Sequence, residues 1–172
     1  VIAHEECMRL GGKTIAILPS PIDEVLPKEH AEQAKQIVEA GGLLISEYYT
    51  SPSNARFEMT KRYIERDRLQ AMFAKVVILI ASYAVKKGDS GARHAMNKAL
   101  KYKHQTCVMY DKKNDSHVDE MELNKQFVEV GSVKVLAKAA RKNPAFITID
   151  EIAKYRISSL ERVNSTKQDN LF

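Results

Sequence analysis

Short apolar runs alternate along this chain with longer stretches in which apolar positions recur every three or four residues. The short runs predict strands at Thr14 to Leu18, Leu43 to Ser46, Val76 to Ile80, Thr106 to Tyr110 and Val133 to Leu136. Strands interleaved with helix-period stretches are the pattern of an α/β protein with a parallel sheet. The run Val76-Val77-Ile78-Leu79-Ile80 is apolar at every position, which predicts a central strand covered by helices on both faces. Between the strands, Lys28 to Ala40 places Ala31, Ala34, Ile37 and Val38 at helical spacing, and Gly41-Gly42 supplies a C-cap. Phe57 to Ala74 is expected to bury a stripe of Phe57, Ile64 and Ala71. Ser90 is expected to open and cap a third helix, and Asp119 to cap a fourth over Glu120 to Val130. Asp111 to Val118 reads as a polar loop and Lys138 to Ala145 as a basic turn. An Asp-capped helix is expected near Asp150, and the last nine residues read as a flexible tail.

Composition narrows the class. A chain of 172 residues with 44% hydrophobic content suits one domain with a full core. The formal charge of +5 and a pI near 9.1 favour an anionic partner without establishing one. Cys7 and Cys107 lie far apart and form no CxxC pair, so they read as reduced thiols, with Cys107 in a strand. No apolar run reaches membrane-spanning length and no secretory signal is visible, so a cytoplasmic protein without membrane contact is expected. His4, His30, His94, His104 and His117 lack metal-ligand spacing, and no nucleophile elbow, Walker loop or HExxH is present. These absences point away from an enzyme and from any cofactor.

Cations are concentrated at three places where a parallel sheet binds ligands. Lys28 falls in the first turn of the helix after the first strand, where free N–H groups add to its charge. Arg62 and Arg66 stand one helical turn apart, opposite the expected apolar stripe, and so are expected to face outward. The competing reading pairs them with Glu58, Glu65 or Asp67 along the same helix. Gly88 and Gly91 bracket Asp89 and Ser90 directly after the apolar strand, with Arg93 in the following first turn, and such a turn can aim backbone amides at an anion. Tyr48, Tyr49 and Tyr63 are aromatics on which a base could stack. Glu47, at a strand end, suits ordering a neighbouring loop better than acid–base work.

Three blocks occur in fixed order: Gly11 to His30, Ser46-Glu47-Tyr48 followed by Arg56 to Ala81, and Lys87 to Leu100. Together they resemble the DNA-processing protein A family (DprA, also called Smf), with a fainter continuation over Asn124 to Leu136. The resemblance implies a Rossmann-like, mostly parallel sheet with helices on both faces over residues 1–163, followed by a tail at 164–172. It implies noncatalytic binding of single-stranded DNA, loading of the RecA recombinase, a role of the natural-transformation type, and a homodimer. By it, Lys28 in Pro27-Lys28-Glu29 contacts the DNA backbone, Arg66-Asp67-Arg68 matches an Arg-Asn-Arg element, and Ser90 and Arg93 belong to the glycine-bracketed turn. The chain departs at Pro19 and Pro21, where the family has glycines, and at Asp67 in place of Asn. Only Ala3-His4 remains of an earlier glycine-rich pattern, which leads to the expectation of an amino-terminally incomplete domain. The related LOG phosphoribohydrolases carry a PGGxGTxxE signature that Lys87 to Ala95 does not supply. Two alternatives stay open. One is a nucleotide-binding or nucleotide-hydrolysing relative using Glu47 or Asp89. The other is an adaptor whose final Gln168, Leu171 and Phe172 resemble the Gln-x-x-Leu-Phe peptide that engages bacterial sliding clamps.

Overall fold

The computed structural model describes residues 1–53, 56–88, 91–137 and 145–153. The chain folds as an α/β protein of the Rossmann-like kind: every strand pairing is parallel and helices flank the sheets. It divides into two compact units, Val1–Gln70 and Ala71–Phe172.

In the first unit, helix α1 (Ile2–Arg9) leads to strand β1 (Ile15–Ile17), then α2 (Ala31–Glu39), β2 (Leu43–Ile45) and most of α3 (Arg56–Phe73). A parallel pair cannot be joined by a hairpin, so α2 crosses over between β1 and β2. The register pairs Ile15 with Leu43, Ala16 with Leu44 and Ile17 with Ile45. As expected, Gly41-Gly42 closes α2. Gly41 adopts φ +76°, its amide bonds to Val38 O at 2.9 Å, and Gly42 N bonds to Ile37 O at 2.8 Å. That is a Schellman closure. The core of the unit is small: Ala16, Leu18 and Ile37, with Met8, Val25 and Leu44 against them.

Helix α3 departs from its expected pattern. Phe57 is 81% exposed and Ile64 40%, while Arg62 and Asp67 join Leu69 and Ala71 among the buried residues. One buried face carries Arg62 and Leu69 with the half-buried Glu58 and Glu65 at helical spacing, and a second, roughly opposite, carries Asp67 and Ala71. Periodicity of apolar residues misreads such a helix because its buried contacts are polar.

The second unit holds one four-stranded sheet in the order β3 (Val76–Leu79), β4 (Gln105–Val108), β5 (Lys134–Ala137) and β6 (Phe146–Thr148). Between the strands lie α4 (Ala92–Lys101), α5 (Lys112–Asp115) and α6 (Glu122–Val130). Leu79, Met96, Val108, Leu123, Val133 and Val135 form its core. Cys107 is fully buried in β4, and burial pushes its thiol pKa up.

Several expectations need correction here. Strand β3 heads its sheet instead of sitting at the centre, with Ile78 38% and Ile80 60% exposed. An all-apolar run reports β propensity but does not fix lateral position in the sheet. The expected polar loop at 111–118 contains α5, capped by Asp111, whose carboxylate accepts from Lys113 N at 3.0 Å. Asp119 does not cap α6; it starts a 3-10 turn (Asp119–Met121), and α6 follows with no side-chain cap. Strand β6 was not expected, because three residues are too short for a period to show. The helix after it is capped by Thr148 and not by Asp150. Thr148 Oγ1 accepts from Glu151 N at 3.2 Å while Glu151 accepts from Thr148 N at 2.7 Å, a reciprocal capping box.

Candidate nucleic-acid interface

In parallel sheets ligands bind beyond the carboxyl ends of the strands. Two loops leave β1 and β2 at that edge. In the first, Pro19 and Ser20 are fully buried. The Ser20 hydroxyl accepts the Leu26 amide at 3.1 Å, and the Ser20 carbonyl accepts the Ser46 hydroxyl of the second loop at 2.7 Å. The Leu26–Pro27 peptide bond is cis. Where glycines would let a ligand approach bare backbone, this loop uses its backbone to hold itself in place. Lys28 then opens a 3-10 turn (Lys28–His30), exposed and without an ion pair among the described residues.

The second loop is fixed to α3 by polar side chains. Tyr48 N donates to Ser46 Oγ at 3.0 Å, and the Tyr48 hydroxyl donates to Glu65 at 2.8 Å. The Arg62 guanidinium lies 4.3 Å from the Tyr48 ring centre, donates to Thr50 O at 2.8 Å and pairs with Glu58 at 2.6 Å. Ser53 hydrogen-bonds Glu58 through its amide (2.8 Å) and its hydroxyl, and Ser51 bonds Glu24. Electrostatics follow from this packing. Burial first, then the bond to Glu65, pushes Tyr48 up to about 12. Hydrogen bonds from Ser53 and then Arg62 hold the Glu58 carboxyl below its ordinary value.

The sequence-expected site residues therefore separate into different roles. Arg62 faces inward at 6% exposure, contrary to the expected outward orientation. A guanidinium that satisfies a carboxylate, a carbonyl and an aromatic face can replace an apolar side chain at such a position. Arg68 is turned to Glu47, with Nη2 at 2.6 and 2.7 Å from its two carboxylate oxygens, so Glu47 orders its neighbours. Arg66 lies 5.1 Å from the Tyr63 ring and 3.5 Å from Asp67, and its Nε has no hydrogen-bond partner among the described residues. These residues and Lys28 belong to the first unit.

Arg93 belongs to the second unit, in the first turn of α4, half-buried and with an Nε that finds no partner among the described residues. Gly88 packs on the Tyr83 ring, whose hydroxyl donates to Glu120 at 2.7 Å. Ser90 and Asp89 lie outside the described residues, as do Gln168, Leu171 and Phe172. Sequence reading missed Asn124, which is fully buried and gives its amide to Ile80 O at 2.9 Å and Met109 O at 2.8 Å. It clips the carboxyl ends of β3 and β4 together, and the one signal for it was a polar residue on the apolar face of α6. Among the described residues no group of His, Cys, Asp or Glu is placed to hold a metal ion, and no helix is long and apolar enough to cross a membrane.

Parallel sheets flanked by helices define a Rossmann-like α/β protein. This chain belongs to the DNA recombination-mediator protein A family, whose model matches residues 1–150. It is 36% identical over 64 residues to Protein Smf of Synechocystis, a match covering 36% of this chain and 16% of that protein. It is similar to the X-ray structure of DNA processing protein A (DprA) from Streptococcus pneumoniae, with a TM-score of 0.58 and 22% identity over 77% of this chain and 42% of that one. The match thus spans less than half the length of either relative.

Proposed function

We propose that this chain binds single-stranded DNA without chemical turnover, as part of DNA recombination and processing. The observation that carries this reading is Lys28, a cation exposed and unpaired among the described residues, on a loop locked at the carboxyl edge of the β1–β2 pair. Membership of a DNA recombination-mediator family supports DNA as the kind of partner. Phosphate binding asks only for positioned cations and amides, so a catalytic group is not needed. Arg66 of the first unit and, separately, Arg93 of the second are further cations proposed to meet phosphate through their terminal guanidinium nitrogens, since their Nε atoms are buried, and Ser90 would add a hydroxyl. Arg62 and Arg68 act differently: their pairs with Glu58 and Glu47 hold the loop that carries the interface. Handover to the RecA recombinase, pairing with a second copy, and attachment to a sliding clamp through Gln168, Leu171 and Phe172 complete the proposed role in the cytoplasm.

Fluorescence anisotropy with a labelled oligonucleotide across a salt series tests the reading. Lys28→Ala and Arg66→Ala should each weaken binding with little base preference. Each should also flatten the salt slope by about 0.7 for every phosphate that is no longer neutralised. Unchanged affinity and slope in both folded variants would overturn the proposal.

A further inference from the structure

The geometry points to Tyr49 as a stacking platform for an unpaired nucleobase, one that makes the interface select single strands by their bases as well as their phosphates. This inference rests on the reading of the chain as a single-strand binder. Tyr49 is 97% exposed, more than any other large apolar residue among the described ones. A lone exposed ring is ordinary on a protein surface, so exposure alone decides nothing. What sets Tyr49 apart is the rigidity on either side of it.

Tyr48 is held by its amide, its ring face and its hydroxyl; Thr50 by its carbonyl; Ser51 by Glu24. The chain has thus fixed the backbone before and after the ring while leaving the ring itself without a hydrogen bond among the described residues. A platform presented this way loses little freedom when a ligand settles on it. The other two candidate tyrosines are occupied by arginines. The Tyr48 ring is covered by Arg62, and the Tyr63 ring lies 5.1 Å from Arg66. Tyr49 also sits on the correct edge. Its loop leaves β2 beside the loop from β1 that carries Lys28, and Ser46 and Ser51 bond the two loops together. A flat apolar face on a loop bonded to the loop that carries a cation matches a ligand that alternates flat rings with phosphates. A duplex hides those ring faces, whereas a single strand offers them.

The test compares a labelled oligothymidylate with an abasic deoxyribose-phosphate tract of equal length, in anisotropy with the 172-residue chain. The unaltered chain should prefer the base-bearing strand. Tyr49→Ala should lose roughly 5- to 100-fold in affinity for that strand and little for the abasic one, at unchanged salt slope. Tyr49→Phe should keep the preference, because the ring and not the hydroxyl carries the stacking. Equal binding of both strands by the unaltered chain, or an unchanged preference in Tyr49→Ala, overturns the inference while leaving phosphate binding standing. Binding of neither strand by the unaltered chain would instead remove the proposed function, and this inference with it.

Discussion

The two units hold the chain at their strand ends in different ways. Among the described residues the second unit has a core cluster of six buried apolar residues from two helices, three strands and the approach to β5, and a buried amide, Asn124, ties its strand ends. Among the described residues the first gathers a cluster of three, Ala16, Leu18 and Ile37. Its loops are instead held by Ser20, Ser46, Tyr48, Arg62 and Glu65. Apolar burial is non-directional and tolerant of sliding, whereas guanidinium and hydroxyl bonds fix a loop at one geometry. The proposed interface, which would present Lys28 and Tyr49 at fixed places, therefore gains from the polar solution. The drawback is dependence on a few side chains.

The contrast can be broken by stability measurements. Met96 is 1% exposed in the larger core, so Met96→Ala should cost about 2–5 kcal/mol in urea unfolding. Arg62→Ala should cost less, about 1–3 kcal/mol, chiefly by leaving the Thr50 carbonyl without its donor and uncovering Tyr48. Arg62→Lys should not restore it, since an ammonium cannot span Glu58 and Thr50 while lying flat on a ring. A loss from Arg62→Ala equal to that from Met96→Ala would erase the distinction between the units. The smallest effect is spectroscopic. With Tyr48 raised from 10.0 to about 12, the folded state prefers its neutral phenol. The stability this gives is complete below pH 10 and fades as pH rises toward 12. An alkaline absorbance titration should show a late-ionising tyrosine that disappears in Tyr48→Phe. Persistence of that component in Tyr48→Phe would assign it elsewhere, with Tyr83, raised by its bond to Glu120, the first residue to substitute next.

The fold class was legible because parallel α/β proteins write long signals: β1 to β5 and the Gly41-Gly42 closure fall within a residue or two of their expected places. The capping box at Thr148-Ile149-Asp150-Glu151 was equally present in the sequence, but the acidic residue nearest the helix start drew the reading away from the hydroxyl two places earlier. Lys28 was legible as a helix-start cation. Arg62 was not, since helical spacing cannot tell an arginine aimed at solvent from one folded onto Tyr48 by partners ten or more residues distant. Asn124 was hidden for the same reason, its partners lying fifteen and forty-four positions away in the chain.

Two glycines of the second unit restrict substitution for different reasons. A Cβ on Gly88 would stand 2.5 Å from Tyr83 Cγ, at the root of a ring tethered through its hydroxyl to Glu120. The obstacle is an atom that cannot step aside, so a saturation library at this position should return glycine alone. Gly131 has open space around its missing Cβ and only a left-handed backbone, φ +71°, to satisfy. Asparagine reaches that conformation with little strain. Gly131→Asn should therefore leave the fold intact, whereas any side chain at position 88 should need a compensating change at Tyr83.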